Sequence, residues 1–415
     1  MVCGLATIKN PFLSGIIIAT GGMNFGLGMG FCSPTLSAIT KEFSLSPKES
    51  SFFNFCGFLA AIVGSIAITF FVKKFGKKLS SFGSSLFALA SWISLGLAQN
   101  KEVLFIARLC VGLTIGIFSM VSPVFIVEVA PPNKKGQFGF MNQIGCSLGY
   151  LYLTICGCFF TWRQISFLCG LPVLIQALFV LGIPEPISSV LKASFSQLFK
   201  FPKQLAIAFG LMFFLQFSGI NAVISNLETI IVTANLTVST FVVALLANIS
   251  QMIATILASI VIDKYGHRFC WSLSSIGQLI AFIMIGLHQL LKLDSSIFIT
   301  GLFLEQLAFG VGTGPIPFTK AAEIFKVEVR SSAMALITSI QWALASIVVF
   351  IWPVMKEYLK LGWSFMSFGG IALFSLIFGI YVLDPVQDVD DESSDNEETE
   401  NISRRLSHAR DLPEL

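Results

Sequence analysis

Long apolar runs alternate with short polar breaks along almost the whole chain. A helix needs roughly 20 apolar residues to cross a hydrocarbon core of about 30 Å, and run after run reaches that length. The pattern predicts twelve transmembrane helices, over residues 12–39, 51–72, 79–98, 103–127, 137–160, 164–183, 204–233, 239–262, 269–290, 296–320, 331–354 and 363–383. The fold class is an all-α membrane protein. No cleavable leader is expected, since residues 1–11 are short and the run behind them is long enough to remain as an anchor.

The polar breaks repeat. Phe71-Val72-Lys73-Lys74-Phe75-Gly76-Lys77-Lys78 returns in type as Val261-Ile262-Asp263-Lys264-Tyr265-Gly266-His267-Arg268. Each is followed by a Glu with a cation seven positions later, Glu128 with Lys135 and Glu323 with Arg330. A duplicated set of helices keeps its polar punctuation in register, so the repeat implies two bundles of six spans and points to a transporter. The expected division is residues 1–183, a connector over 184–203, residues 204–383 and a tail over 384–415. The second loop carries Asp263 where the first has Lys73, so the first is expected to hold its closed state more weakly.

Cations sort by loop. Even-numbered connections hold Lys73, Lys74, Lys77, Lys78, Lys134, Lys135, Lys192, Lys200, Lys203, Lys264, Arg268, Lys326 and Arg330; odd-numbered ones hold Lys41, Lys48, Lys101, Arg163, Lys292, Lys356 and Lys360. By the positive-inside rule both termini are expected in the cytoplasm of a multi-pass plasma-membrane protein. Composition agrees: 55% of the 415 residues are hydrophobic and 12% charged, against about a quarter charged in soluble domains. The net charge of +3 is loop asymmetry partly cancelled by the acidic run Asp388 to Glu400, and asks for no nucleic-acid partner. That run cannot bury a core and is expected to be disordered. Asn235-Leu236-Thr237 is a candidate glycosylation site in an external loop. The nine cysteines have neither a pairing pattern nor metal-ligand spacing and are expected to act as packing residues. Neither a metal nor a cofactor is expected, and no enzymatic activity.

The string Gln216-Phe217-Ser218-Gly219-Ile220-Asn221-Ala222-Val223 resembles the seventh-helix signature of the sugar porter family of the major facilitator superfamily. Other matches follow in order: Pro123-Val124-Phe125-Ile126-Val127-Glu128, Asn142-Gln143, Trp162-Arg163, Pro184-Glu185, the Asp263–Arg268 loop, Gly314-Pro315-Ile316-Pro317-Phe318 and Gln341-Trp342. Within the family, the seventh-helix string and Phe138–Gln143 look most like arthropod trehalose and glucose facilitators. The resemblance implies the major facilitator fold: two six-helix bundles closing on a midplane cavity. It implies sugar contacts at Gln143, Gln216, Asn221, Gln251, Phe318, Gln341 and Trp342. Such residues suit a neutral polyol, because an amide offers both donor and acceptor without charge. A gate is implied at Arg108, Glu128, Lys135, Asp263, Arg268, Glu323 and Arg330, with Glu residues pairing to loop cations across the bundle interface at a water boundary, where each pair is worth about 0–1 kcal/mol.

Departures from the family pattern are as informative. Leu215 stands where the family has a second glutamine, Phe318 where it has tryptophan, Gln341 where it has asparagine, and Ser225 and Asn226 where it has lid aromatics. The connector before Gln216 is short. Lys320 is expected to reach the interface or pair with Glu323, and Glu228 and Glu305 to line the entrance or pair with an external cation such as Lys292. Proton symporters resembling the family use a carboxylate in the first helix, and Gly21–Gly30 has none. The expected function is therefore facilitated transport of a hexose or trehalose by a single chain in the bilayer, with a non-transporting sugar sensor and a proton-coupled symporter as the alternatives.

Overall fold

The structure, a computed structural model, describes residues 8–185, 195–225, 227, 230–231 and 239–383. Asn226, Glu228, Asn235, the centre of the connector, the acidic tail and the side chain of Ser225 lie outside the described residues.

Helices α1 (Pro11–Gly30) and α2 (Cys32–Glu42) meet through Phe31, which keeps helical dihedrals, and together form the first span. There follow α3 (Pro47–Gly96), α4 (Lys101–Val129), α5 (Lys135–Phe159) and α6 (Trp162–Val180). The second half comprises α7 (Pro202–Phe217), α8 (Ile220–Ser225), α9 (Thr240–Leu291), α10 (Ser295–Val311), α11 (Ile316–Glu323), α12 (Val327–Tyr358) and α13 (Lys360–Val382). Among the described residues nine helical stretches are long and apolar enough to cross a membrane. Two of them, α3 and α9, are each a pair of helices joined at a glycine, and α5 is a further helix of 25 residues. Described helix falls within each of the twelve expected spans.

The two junctions are structural twins. Gly76 has φ +78° and ψ 173°, and Gly266 has φ +76° and ψ 167°, within otherwise continuous helices. That region is closed to most side chains by the clash of Cβ with the backbone, which is why each eight-residue loop has glycine at its sixth position. The repeat seen in the sequence is thus a repeat of backbone conformation.

Small residues set the helix spacing. An added Cβ on Gly116 would lie 1.9 Å from the Ala61 carbonyl oxygen, and one on Gly64 2.1 Å from that of Leu113, so α3 and α4 touch backbone to backbone. In the same way Gly26 meets Cys146, and Gly145 meets Ala19, where α1 crosses α5. The glycines of the first span are packing residues, as close approach gains van der Waals contact where lipid gives no hydrophobic push. Seven of the described cysteines, Cys32, Cys56, Cys110, Cys146, Cys156, Cys169 and Cys270, are free thiols, all but Cys110 buried. The lipid side carries aromatics such as Phe70, Phe71, Phe350 and Phe374. At the end opposite the basic loops, Arg163 Nη2 pairs with Glu42 at 2.6 Å and Lys101 with Glu49 at 2.8 Å. Trp162 Nε1 donates to the other Glu42 oxygen, and the Arg163 hydrogen bond holds the Glu42 carboxyl below its usual range.

Replacing Gly76 by Ala forces a Cβ into the left-handed region and within 2.6 Å of the Glu185 carboxylate, so a loss of about 1–2 kcal/mol is expected. Gly83→Ala is the control: nothing lies within 4 Å of its Cβ, and an exposed helical glycine gains up to about 1 kcal/mol as alanine. Thermal melts of the two variants should move in opposite directions.

Candidate functional site

At the centre, residues from both halves close on a small pocket. Gln143 comes from α5, Gln216 from α7, Asn221 from α8, Phe318 from α11 and Gln341 from α12, all lining one cavity with Phe25, Met29, Cys146, Tyr150, Leu215, Ile220 and Phe309. Its free space is about 20 Å³, and no lining residue carries a charged group. A break after Phe217 builds the amide corner. Five residues apart on a regular helix, Gln216 and Asn221 would diverge by about 140°; Gly219, at φ +82°, ends α7 and restarts the chain as α8. The Asn221 amide nitrogen then donates to Gln216 Oε1. Among the described residues Asn221 Oδ1 and Gln341 Oε1 are buried without a partner. Buried amide oxygens that stay unpaired cost free energy, so a ligand bringing hydroxyl donors would satisfy them.

Two expected contacts lie elsewhere. Trp342 packs edge-on to Phe25, ring centroids 5.6 Å apart, and its indole N–H donates to Ser119 at 2.9 Å, so it braces the pocket wall and joins the halves. Gln251 is fully buried on α9, outside the pocket lining, and both its amide atoms are unpartnered among the described residues. Its backbone carbonyl is where α10 comes closest, at Gly310. Conversely, Phe25, Tyr150 and Leu215 line the pocket without having been expected as contacts. Tyr150 follows Gln143 by seven residues, two helical turns on the same face, so the period of α5 was its available signal. It also borders a second cavity of about 330 Å³ toward the end opposite the basic loops, lined by Ser33, Thr154, Phe241 and Asn248 among others.

The ion pairs differ from the gate that the resemblance implies, in which Glu residues meet loop cations across the bundle interface. Glu128 pairs with Lys77 at 2.8 Å rather than with Lys135, and Glu323 with His267 at 3.6 Å rather than with Arg330. Both pairs stay within one half of the molecule. Among the described residues Lys135 and Arg330 form no ion pair within 4.0 Å, and neither does Lys320. The Lys77 and Glu128 side chains are 1% and 5% exposed, so this contact is not a weak pair at a water boundary. At the first loop Glu185 also accepts the backbone N–H groups of Lys77 and Lys78 at 2.6 and 3.0 Å. Between the halves, Asp263 instead accepts the N–H of Gln137 at 3.2 Å in the first turn of α5, where a helix N-terminus favours a carboxylate. Arg268 donates to the Ile380 carbonyl. Arg108 lies far from these groups, in the opposite half of α4. It is fully buried and donates to the carbonyls of Gly28 at 2.9 Å and Phe53 at 3.3 Å.

The halves also touch toward the basic loops. Besides Asp263, Ser65 meets Ser339 at 2.8 Å and a Cβ on Gly139 would strike Thr319. At the far end Asn248 donates to Thr154 at 2.8 Å beside the larger cavity. The geometry is that of a membrane carrier: a duplicated bundle with an uncharged amide and aromatic pocket buried at its centre. Comparison with known proteins specifies the class. The family described as "Sugar (and other) transporter" matches residues 15–188 and 187–384, so the chain belongs to that family. Similar relatives include Sugar transporter ERD6-like 6 of Arabidopsis thaliana, 27% identical over 88% of this chain and 85% of its own. Facilitated trehalose transporter Tret1 of Bombyx mori is 24% identical over 89% and 83%. The solved proton:xylose symporter XylE bound to 6-bromo-6-deoxy-D-glucose superposes with a TM-score of 0.80 over 91% of this chain and 96% of its own, at 18% identity, a likeness of fold.

Removing Lys77 alone leaves Glu128 charged and buried, which costs about 3–5 kcal/mol. Lys77→Met should lower the melting temperature sharply, and Lys77→Met with Glu128→Leu should recover most of the loss. Equal destabilisation in both variants would show that the ion pair is not the source.

Proposed function

We propose that the protein carries a neutral sugar, a hexose or trehalose, across the plasma membrane by alternating access and without ion coupling. The observation that carries this reading is the pair of unpartnered amide oxygens, Asn221 Oδ1 and Gln341 Oε1, facing a pocket free of charged groups. A polyol supplies hydroxyl donors to both, and the faces of Phe25, Phe318 and Tyr150 suit the C–H surface of a sugar ring. We take Gln143, Gln216, Asn221, Gln341 and Phe318 as the direct contacts, and Trp342 as a support.

The closed pocket and the larger cavity above it correspond to a cycle in which the halves rock about the site. Sugar enters through the cavity beside Tyr150, the pocket expands around it, and release follows separation of the Asp263 and Ser65–Ser339 contacts at the basic end. With the basic loops inside, both termini are cytoplasmic; Glu42 and Glu49, pairing with Arg163 and Lys101, reduce the competing positive charge at the outer end. A single chain holds the whole pocket.

Lack of coupling is favoured at the first span. Pro11–Ile39 contains neither Asp nor Glu, and the buried Arg108 that faces it donates through Nε and Nη1 to backbone carbonyls, with no carboxylate within 4.0 Å among the described residues. The name of the Bombyx relative supports a facilitated mode and the disaccharide, and the ERD6-like relatives support sugar more broadly.

Purified protein in liposomes should take up labelled glucose or trehalose until inside and outside concentrations match, with and without a pH gradient. Accumulation driven by the gradient would overturn uniport in favour of symport; saturable binding without uptake would favour a sensor. Asn221→Ala should lower uptake at least about tenfold, since losing a well-placed hydrogen bond to a neutral group and stranding its partner costs about 1–3 kcal/mol. Surface expression should not change.

A further inference from the structure

We propose that Glu305 is a proton-binding site, held as the neutral acid in the resting fold, and that its proton steadies the break between α10 and α11. The site lies in the seam between α9 and α10, separate from the sugar pocket.

Glu305 lies ten residues after the start of α10 and six before its last residue, Val311, and its side chain is fully buried. It belongs to the stripe that faces α9. Gly301, one turn before it, packs on Ala281 and Ile285, and Ala308 and Gly312, after it, pack on Gly277 and Cys270. The expectation that it would line an entrance or pair with Lys292 is therefore not met. Its polar neighbour is the side chain of Gln278, and neither carboxyl oxygen completes a hydrogen bond of ordinary geometry among the described residues. Among the described residues no cation lies within 4.0 Å of it.

The surroundings offer no other charge compensation. On α9 the titratable groups are Cys270 and His267 inward and His288 outward, with Lys292 as its cap and Asp263, Lys264, Tyr265 and Arg268 at the Gly266 turn. Lys356 and Glu357 stand at the outer end of α12, where Lys356 lies over the Trp352 ring, and Lys360 and Tyr381 occupy the ends of α13. A carboxylate so enclosed, with neutral amides and apolar side chains around it, is more stable after taking a proton from water.

Protonation has a mechanical consequence through Gln278. Its Nε2 has no other acceptor, while its Oε1 accepts from Thr313 Oγ1 at 3.2 Å. Thr313 also donates its N–H to Ser274 Oγ at 3.0 Å. Thr313 lies in the interruption Gly312-Thr313-Gly314-Pro315 that ends α10 before α11 presents Phe318 to the sugar pocket. The chain Glu305–Gln278–Thr313 thus connects one buried acid to the segment that aims a pocket residue. Loss of the proton leaves a charge that must draw water into the seam, loosening α9 from α10 next to that break.

The test has two arms on the full chain in liposomes. Infrared spectra at neutral pH should show the carbonyl stretch of a protonated carboxyl in the wild type that disappears in Glu305→Gln. An unchanged band overturns the proposal, and this readout does not depend on transport. The second arm rests on the sugar-carrier reading. Wild-type sugar uptake should fall with rising alkalinity, approaching tenfold per pH unit once Glu305 ionises, whereas Glu305→Gln, which keeps the neutral shape, should hold its acidic-side rate throughout. Thr313→Val should keep the infrared band and blunt the pH dependence. A Glu305→Gln profile parallel to wild type overturns the link to the break, and if the wild type takes up no sugar the infrared band alone decides.

Discussion

The whole arrangement depends on reversing a helix inside a few residues without abandoning its backbone hydrogen bonds near lipid. Where no water can satisfy a free amide, turns must be tight or sheltered. Gly76 and Gly266 solve this with one residue each at positive φ, and everything around the two loops follows from the direction they impose. At the first, the turn points the Lys77 and Lys78 amides at Glu185 and sends the Lys77 side chain inward to Glu128. At the second, the same turn places His267 against Glu323 and leaves Asp263 to reach α5.

Those contacts divide the work. Ion pairs that remain within one half make each bundle end rigid, and a buried pair such as Lys77–Glu128 resists being pulled apart because separation strands a charge. Contacts that join the halves include a carboxylate on a helix N-terminus, a serine pair, the Asn248–Thr154 hydrogen bond, an indole N–H on Ser119 and aromatic edges. Rigid bodies with a seam that can part are what an alternating-access cycle requires, since two arrangements can interconvert only when neither is much the deeper.

Much of this was legible in the sequence, for reasons that can be stated. The crossings are visible because an apolar run long enough for a bilayer has few alternatives, and Gln143, Gln216, Asn221, Phe318 and Gln341 converge because ordered motifs carry their helices with them. The partner of Glu128 was not legible. Lys135 has the attractive spacing, but which of several nearby cations turns inward is decided by the φ of Gly76, a property of the backbone. Gln251 was misplaced for a related reason: its chemistry suits the pocket, while the face of α9 on which it falls packs toward α10. Tyr150 was legible by period alone, and Glu305 was visible as a charge in an apolar run while its seam was not.

The pocket itself is lopsided, and the cause is local. Most of its amides come from the second half, where the α7 break brings Gln216 and Asn221 into contact, while the first half contributes Gln143 amid Phe25, Met29, Cys146 and Tyr150. Leu215, beside that break, removes one more hydrogen-bonding group and is itself buried against the pocket. A ligand would therefore be oriented by the second half and covered by the first. On the proposed function, discrimination between sugars would rest on the hydroxyls that meet Asn221 and Gln341, because an unmatched buried amide penalises a wrong sugar more heavily than an imperfect apolar contact does.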